Sequence, residues 1–180
     1  GGTAGRSTLN GEGLQHQDGH SQVVANTIPN LKSYDPAFAY EVAIIIRDGI
    51  DRMYAKDEKI FYYITLYNEN YVMPALPEDD VSEAIIRGMY RLHAATKNLD
   101  SARKVHLLAS GSIMQQALQG AVLLEEYGCQ VDIWSVTSFN ELYRDAVECD
   151  RWNRLHPAAP PRRSHLADLL ADEAGVFICV

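Results

Sequence analysis

A helical rhythm followed at once by a strand constrains this chain more than any other feature. Phe38, Val42, Ile45, Ile46, Ile50 and Met53 recur at three- and four-residue steps. That spacing predicts a helix over 37–54 with one apolar face. Lys56, Asp57, Glu58 and Lys59 break the pattern, and "IFYYITL" at 60–66 has the aromatic and β-branched content of a strand. Ahead of the helix, "LKSYDP" reads as a short strand running into a helix start, with Asp35 as N-cap and Pro36 in the first turn. Strand, helix and strand in that order make a parallel pair, because parallel neighbours need a long crossover.

A second unit of the same kind follows a change of character. "NENYVMPALPEDD" at 68–80 carries Pro74, Pro77 and an acidic cluster, and marks a boundary. A connecting helix is expected over 78–94, followed by polar residues. "KVHLLAS" is then a strand and "SGS" a tight turn, with Ser112 and Gln115 reading as a capping box. The next helix runs to Tyr127 and stops at Gly128. "QVDIWSV" returns as a strand, a helix is expected over 140–154, and "HPAAPPRR" breaks it. A short helix and the strand "GVFICV" follow. At the other end, residues 1–22 have the Gly, Ser, Thr and Asn content of a long surface loop, and a short helix is expected over 21–28. The expected fold is α/β, with two parallel-sheet domains at 1–77 and 104–180 joined by a connecting helix and linker at 78–103. Gly1-Gly2 without a Met and an apolar strand without a cap lead us to expect an internal piece of a longer chain, both domains incomplete.

With 180 residues, 47% of them hydrophobic, the chain can build a packed core. Its formal net charge of −8 argues against nucleic acid or an anionic membrane as the main partner. Mild acidity is common among soluble enzymes, so the sign selects no activity. No apolar run approaches the ~18 residues of a membrane span. Cys129, Cys149 and Cys179 form no metal or redox spacing and suit a reducing interior. Cys179, within an apolar strand, is expected to be inert core.

"EGLQHQDGHSQ" at 12–22 is the segment that invites a chemical reading. His16 and His20 stand four apart, one substitution away from the zinc-protease pattern H-E-x-x-H. That pattern needs a glutamate as base and an unbroken helix, whereas Gln17 is no base and Asp18-Gly19 is a poor helical pair. A loop histidine doing acid–base work is the alternative, since its ordinary pKa lies near cellular pH. By spacing alone, both histidines read as hydrogen-bonding the loop's own backbone. "ASGSIMQQ" resembles a phosphate-binding turn, but Gly111 is its one glycine and no G-K-[ST] follows, so the glycine reads as structural. His93, His106, His156 and His165 are assigned no chemistry, and Arg162 with Arg163 reads as a solvated basic spot.

Four longer stretches carry a family resemblance: "GRSTLNGEGLQHQDGHS" (5–21), "SYDPAFAYEVAIIIRDGIDRMY" (33–54), "YYIT" with "NENYVMPALPE" (62–78) and "SVTSFNELYRDAVECDRWNRLHP" (135–157). Together they resemble the homodimeric, bacterial-type E1 component of the pyruvate dehydrogenase complex, a branch of the transketolase-like thiamine diphosphate enzymes. The resemblance implies that the chain covers the later part of a middle, pyrimidine-binding domain and the first part of a transketolase C-terminal domain. It further implies thiamine diphosphate and Mg²⁺ as cofactors, and pyruvate as substrate. The implied partners are a second E1 subunit and an E2 lipoyl acyltransferase that receives the acetyl group. A cytoplasmic setting is also implied.

The family's loop histidine in "GLQH" matches His16, which the resemblance makes the catalytic residue, and His20 becomes a supporting one. Gln17 and Gln22 depart from the family's usual Glu and His, so no role is carried onto them. The family's G-D-G motif and activating glutamate have no counterpart here. No cofactor or metal ligand is therefore expected within this chain, and the piece alone is expected to be inactive. The alternatives are a transketolase, a branched-chain 2-oxoacid dehydrogenase, or a non-catalytic α/β interaction module.

Overall fold

The computed structural model describes residues 18–67, 70–95 and 103–180. Helix α1 (Ser21–Asn26) leads into β1 (Leu31–Tyr34), and α2 (Ala39–Ile50) carries the chain over to β2 (Phe61–Ile64). The two strands pair in parallel, Leu31 opposite Phe61 and Tyr34 opposite Ile64. The strand–helix–strand reading of this segment is correct. A single π-helical turn, Asp51–Ala55, extends α2 before the polar turn.

The second sheet has the order β3 (Tyr90–His93), β5 (Gln130–Ser135), β4 (Lys104–Ala109), β6 (Val176–Cys179). β4 pairs in parallel with both β5 and β6, while β3 is an antiparallel edge strand against β5. Helix α4 (Met114–Glu126) makes the β4-to-β5 crossover. It ends where expected, with Gly128 in the left-handed region at φ 80°. Helices α5 (Phe139–Leu155) and α6 (His165–Leu169) lead to β6. Ala117, Ala121, Leu107, Val131 and Ile133 form the core under α4, and Met89, Leu108, Trp134 and Leu142 form the core on the opposite face.

Three local expectations are corrected. The region 78–94 is not one helix: α3 (Ser82–Arg87) stops at Gly88, which takes φ 108°, and β3 begins two residues later. A Cβ on Gly88 would lie 2.5 Å from the Ser138 carbonyl oxygen, so a side chain is excluded sterically as well as conformationally. Ser112 caps nothing, because it lies inside a 3₁₀ turn (Gly111–Ile113) that runs directly into α4. Asp35 is not the N-cap of α2. The helix starts four residues later, and Glu41 reaches back to accept hydrogen bonds from the backbone N–H of Ala37 (2.6 Å) and Phe38 (3.1 Å).

Glu41 also decides which side of α2 is buried. Its carboxylate accepts from the Tyr90 hydroxyl (2.7 Å) on β3 and the Ser135 hydroxyl (2.6 Å) on β5, and none of it is exposed. The buried face therefore runs through Glu41, Ile44, Ile45 and Gly49, while Ile46 and Ile50 of the expected apolar face stand exposed. Burial pushes the Glu41 carboxyl upward from its ordinary value, partly countered by the four donors. Replacing Glu41 with Leu strips two N–H groups and two hydroxyls of their acceptor in a dry site. Urea unfolding of Glu41→Leu is expected to show a loss of about 3–5 kcal/mol. A loss below about 1 kcal/mol would mean that the donors find other acceptors.

Candidate functional site

The carboxyl ends of β1, β4, β5 and β6 open toward one crevice of about 460 Å³, lined by Gln22, Asp35, Ser110, Ser138, Asn140 and Val180 among others. This is where parallel α/β sheets place their ligands. Asp35, just past β1, knits the strand ends together. Its N–H donates to Thr137 O (2.8 Å) and its carbonyl accepts from Gly111 N (3.0 Å). Its carboxylate accepts from Ser110 Oγ (3.0 Å) and from the hydroxyls of Thr65 and Tyr67. Gly111 takes φ 54°, and a Cβ there would lie 2.5 Å from Tyr67 Oη and 2.8 Å from Asp35 Oδ1. The glycine is structural, as expected, and its N–H serves Asp35 rather than a phosphate.

Of the two loop histidines, His16 lies outside the described residues. His20 is exposed and immediately precedes α1. The residue that caps α1 is Asp18, whose Oδ1 accepts from Ser21 N (2.9 Å) and His20 N (3.2 Å) and whose Oδ2 accepts from Tyr63 OH (3.0 Å). Burial works to raise the Asp18 carboxyl, but these hydrogen bonds prevail and hold it below 3.8. His20 thus stands at the end of a helix and not within one, which takes away the two-histidine helical face that the zinc pattern needs.

A third group was invisible in the sequence. His106 on β4, Asp132 on β5 and Glu173 before β6 bring ligand-type atoms within 4.8 Å of one another. The cation among them is already covalently attached, however. Lys104 Nζ lies 3.2 Å from Asp132 Oδ2 and 2.5 Å from Glu173 Oε2. The imidazole is committed as well. Trp134 Nε1 can only donate, so His106 Nδ1 accepts from it (3.2 Å), and Nε2 donates to Ala174 O (3.0 Å). Asp132 lies 3.4 Å from Nδ1 and Glu173 3.9 Å from Nε2. The group is a partly buried ion-pair network that carries its own cations, because Arg91 pairs with Glu173 as well.

Among the remaining expectations, His93 and His156 are exposed, and His165 is buried with Nε2 against Met89 O (2.9 Å). Cys179 is exposed, which corrects its assignment to the core: β6 forms the sheet edge and the whole strand is open to solvent. Arg162 and Arg163 are exposed but engaged. One stacks on Trp152 at 4.2 Å and the other pairs with Asp168 at 2.7 Å. No helix among the described residues is long and apolar enough to cross a membrane.

Residues 1–74 match the family model described as the pyruvate dehydrogenase E1 component middle domain, and residues 88–180 match the transketolase-like TK C-terminal domain. The pyruvate dehydrogenase E1 component of Pseudomonas aeruginosa is 51% identical over 99% of this chain and 20% of its own length. That of Escherichia coli K12 is 52% identical over 98% of this chain and 20% of its own. The chain thus spans about a fifth of the length of these curated relatives. A transketolase variant from Pichia stipitis matches with a TM-score of 0.59 at 18% identity, over 92% of this chain and 20% of that one. The transketolase of Campylobacter jejuni matches at 0.56 and 20% identity, over 91% and 21%. At such identities the likeness is one of fold.

The buried imidazoles give stability a pH dependence. Burial, foremost, lowers both His106 and His165 from 6.5, so the native state resists protons that the unfolded chain accepts. Stability is therefore fully present above about pH 6.5 and is lost as pH falls through the lowered native values. Urea midpoints are expected to drop across this window. His106→Phe, which keeps the stacking on Phe177 but cannot titrate, is expected to be less stable at neutral pH and to show a shallower slope. An unchanged slope would contradict this.

Proposed function

Because the chain belongs to the transketolase-like pyruvate dehydrogenase E1 family, we propose that it forms part of an E1 enzyme that oxidatively decarboxylates pyruvate and passes the acetyl group to a lipoyl group on an E2 acyltransferase. The observation that carries this reading is the order of the two family matches along one chain, with Asp35 from the first joined to Ser110, Gly111 and Thr137 from the second at a shared crevice. A homodimeric assembly and a cytoplasmic setting belong to the same proposal.

Thiamine diphosphate, held with Mg²⁺, would supply the electron sink for loss of CO₂. The crevice does not fit as its host. Its described lining has no Lys or Arg for a diphosphate, and its one carboxylate is committed to Thr65, Tyr67 and Ser110. No residue of this chain is therefore assigned to the cofactor or the metal. What the chain would contribute is proton handling and placement. His16 would donate a hydrogen bond or a proton to the substrate oxygen as negative charge develops there, with His20 in support. A positioned group of this kind is worth roughly 10²–10⁴ in rate.

In the full-length enzyme, His16→Ala is expected to slow single-turnover decarboxylation of pyruvate by roughly 10²–10⁴. An unchanged rate would withdraw the assignment. For the 180-residue chain by itself, calorimetric titration with thiamine diphosphate and Mg²⁺ is expected to show no saturable heat. Tight, Mg²⁺-dependent binding would overturn the statement that its ligands lie elsewhere.

A further inference from the structure

Helix α1 cannot account for its own stability. It has six residues, and isolated helices below about a dozen residues are marginal in water. Its last turn has no basic side chain of its own to meet the partial negative charge of its terminal carbonyls. Those carbonyls are met from the other half of the chain. Arg144 on α5 donates from Nη2 to Ala25 O (3.1 Å), Asn26 O (3.3 Å) and Ile28 O (2.8 Å). From Nη1 it donates to Leu31 O and to Glu141 Oε1 (3.2 Å), which holds the guanidinium in place. One planar cation thus gathers four carbonyl oxygens at the negative end of α1 and the start of β1. One helical turn earlier, Asn140 Nδ2 donates to Gln22 O (2.7 Å) and to Ser33 Oγ (2.6 Å). A single face of α5 therefore grips α1 near its beginning and at its end.

We propose that Arg144 is a positioning residue. Together with Asn140 it holds α1, the helix that follows His16 in the sequence, alongside β1, with Asn140 at the crevice end and Arg144 at the start of the strand. The grip on α1 stands on the hydrogen bonds alone; its consequence for His16 rests on the function proposed above. A lysine cannot substitute, because an ammonium lacks the rigid fork that reaches several carbonyls at once.

The test uses the full-length enzyme with two readouts. In hydrogen exchange followed by mass spectrometry, Arg144→Ala is expected to raise exchange of peptides covering 18–30 by about tenfold or more while α4 peptides keep their protection. Unchanged protection in 18–30 would overturn the proposal. In single-turnover decarboxylation, Arg144→Ala is expected to cost about ten- to a hundredfold, the scale of a misplaced catalytic group. In a His16→Ala background it should cost less than about twofold, because the two changes act on one unit. Equal losses in both backgrounds would show that Arg144 does not act through His16. A silent His16→Ala would instead remove the proposed role of that histidine, with exchange still deciding the grip on α1. Arg144→Lys is expected to recover little of either readout, and full recovery would overturn the need for a fork. Should Arg144→Ala not fold, Asn140→Ala carries the same two readouts with the same expected directions.

Discussion

A carboxylate with no exposed surface, reached by two backbone N–H groups and two hydroxyls, holds the architecture together at Glu41. Burying that group is costly unless its lone pairs are met. Meeting them requires the start of α2, Tyr90 of β3 and Ser135 of β5 to arrive at one place. Much else follows from this requirement. It sets the roll of α2 about its axis, so that Ile44 and Ile45 face inward with Tyr34, Ile85 and Tyr90. It also forces α2 to lean on the second sheet, and Phe38 is drawn into the core beneath α4.

Asp35 works in the same manner six residues earlier, at the rim instead of the interior. Glu41 receives hydroxyls from the terminal residues of two strands, whereas Asp35 receives them from the loops beyond strand ends, and its own backbone continues the lattice to Gly111 and Thr137. The two acids make the junction between the chain's halves a shared core with a polar seam. Arg144 and Asn140 extend that seam outward to α1, over sequence separations of more than one hundred residues.

Sequence patterns revealed the elements better than their surfaces. The strands at 60–66, 104–110 and 130–136 and the stop at Gly128 are local signals, and they hold. The face of α2 was misread because it is paved with Glu41, Gly49 and the half-buried Asp48, which a hydrophobic pattern scores as outward. Asp48 instead accepts from Tyr62 OH (2.9 Å), and the Tyr62 ring lies over Gly49. The expected helix over 78–94 failed at Gly88, where a left-handed residue lets the Ser138 backbone approach. His16 was singled out by resemblance and not by its spacing. The crevice, the Lys104 network and the Arg144 grip are assembled from residues far apart in the chain, so no linear motif announces them.

Lys104 shows what a tethered cation changes. Asp132 and Glu173 have their two counter-charges supplied by the same polypeptide, from Lys104 on the strand that also bears His106 and from Arg91 on β3. The two carboxylates need no added ion to offset them, because side chains of the same fold do so. Their charge balance is complete as soon as the chain has been translated and folded.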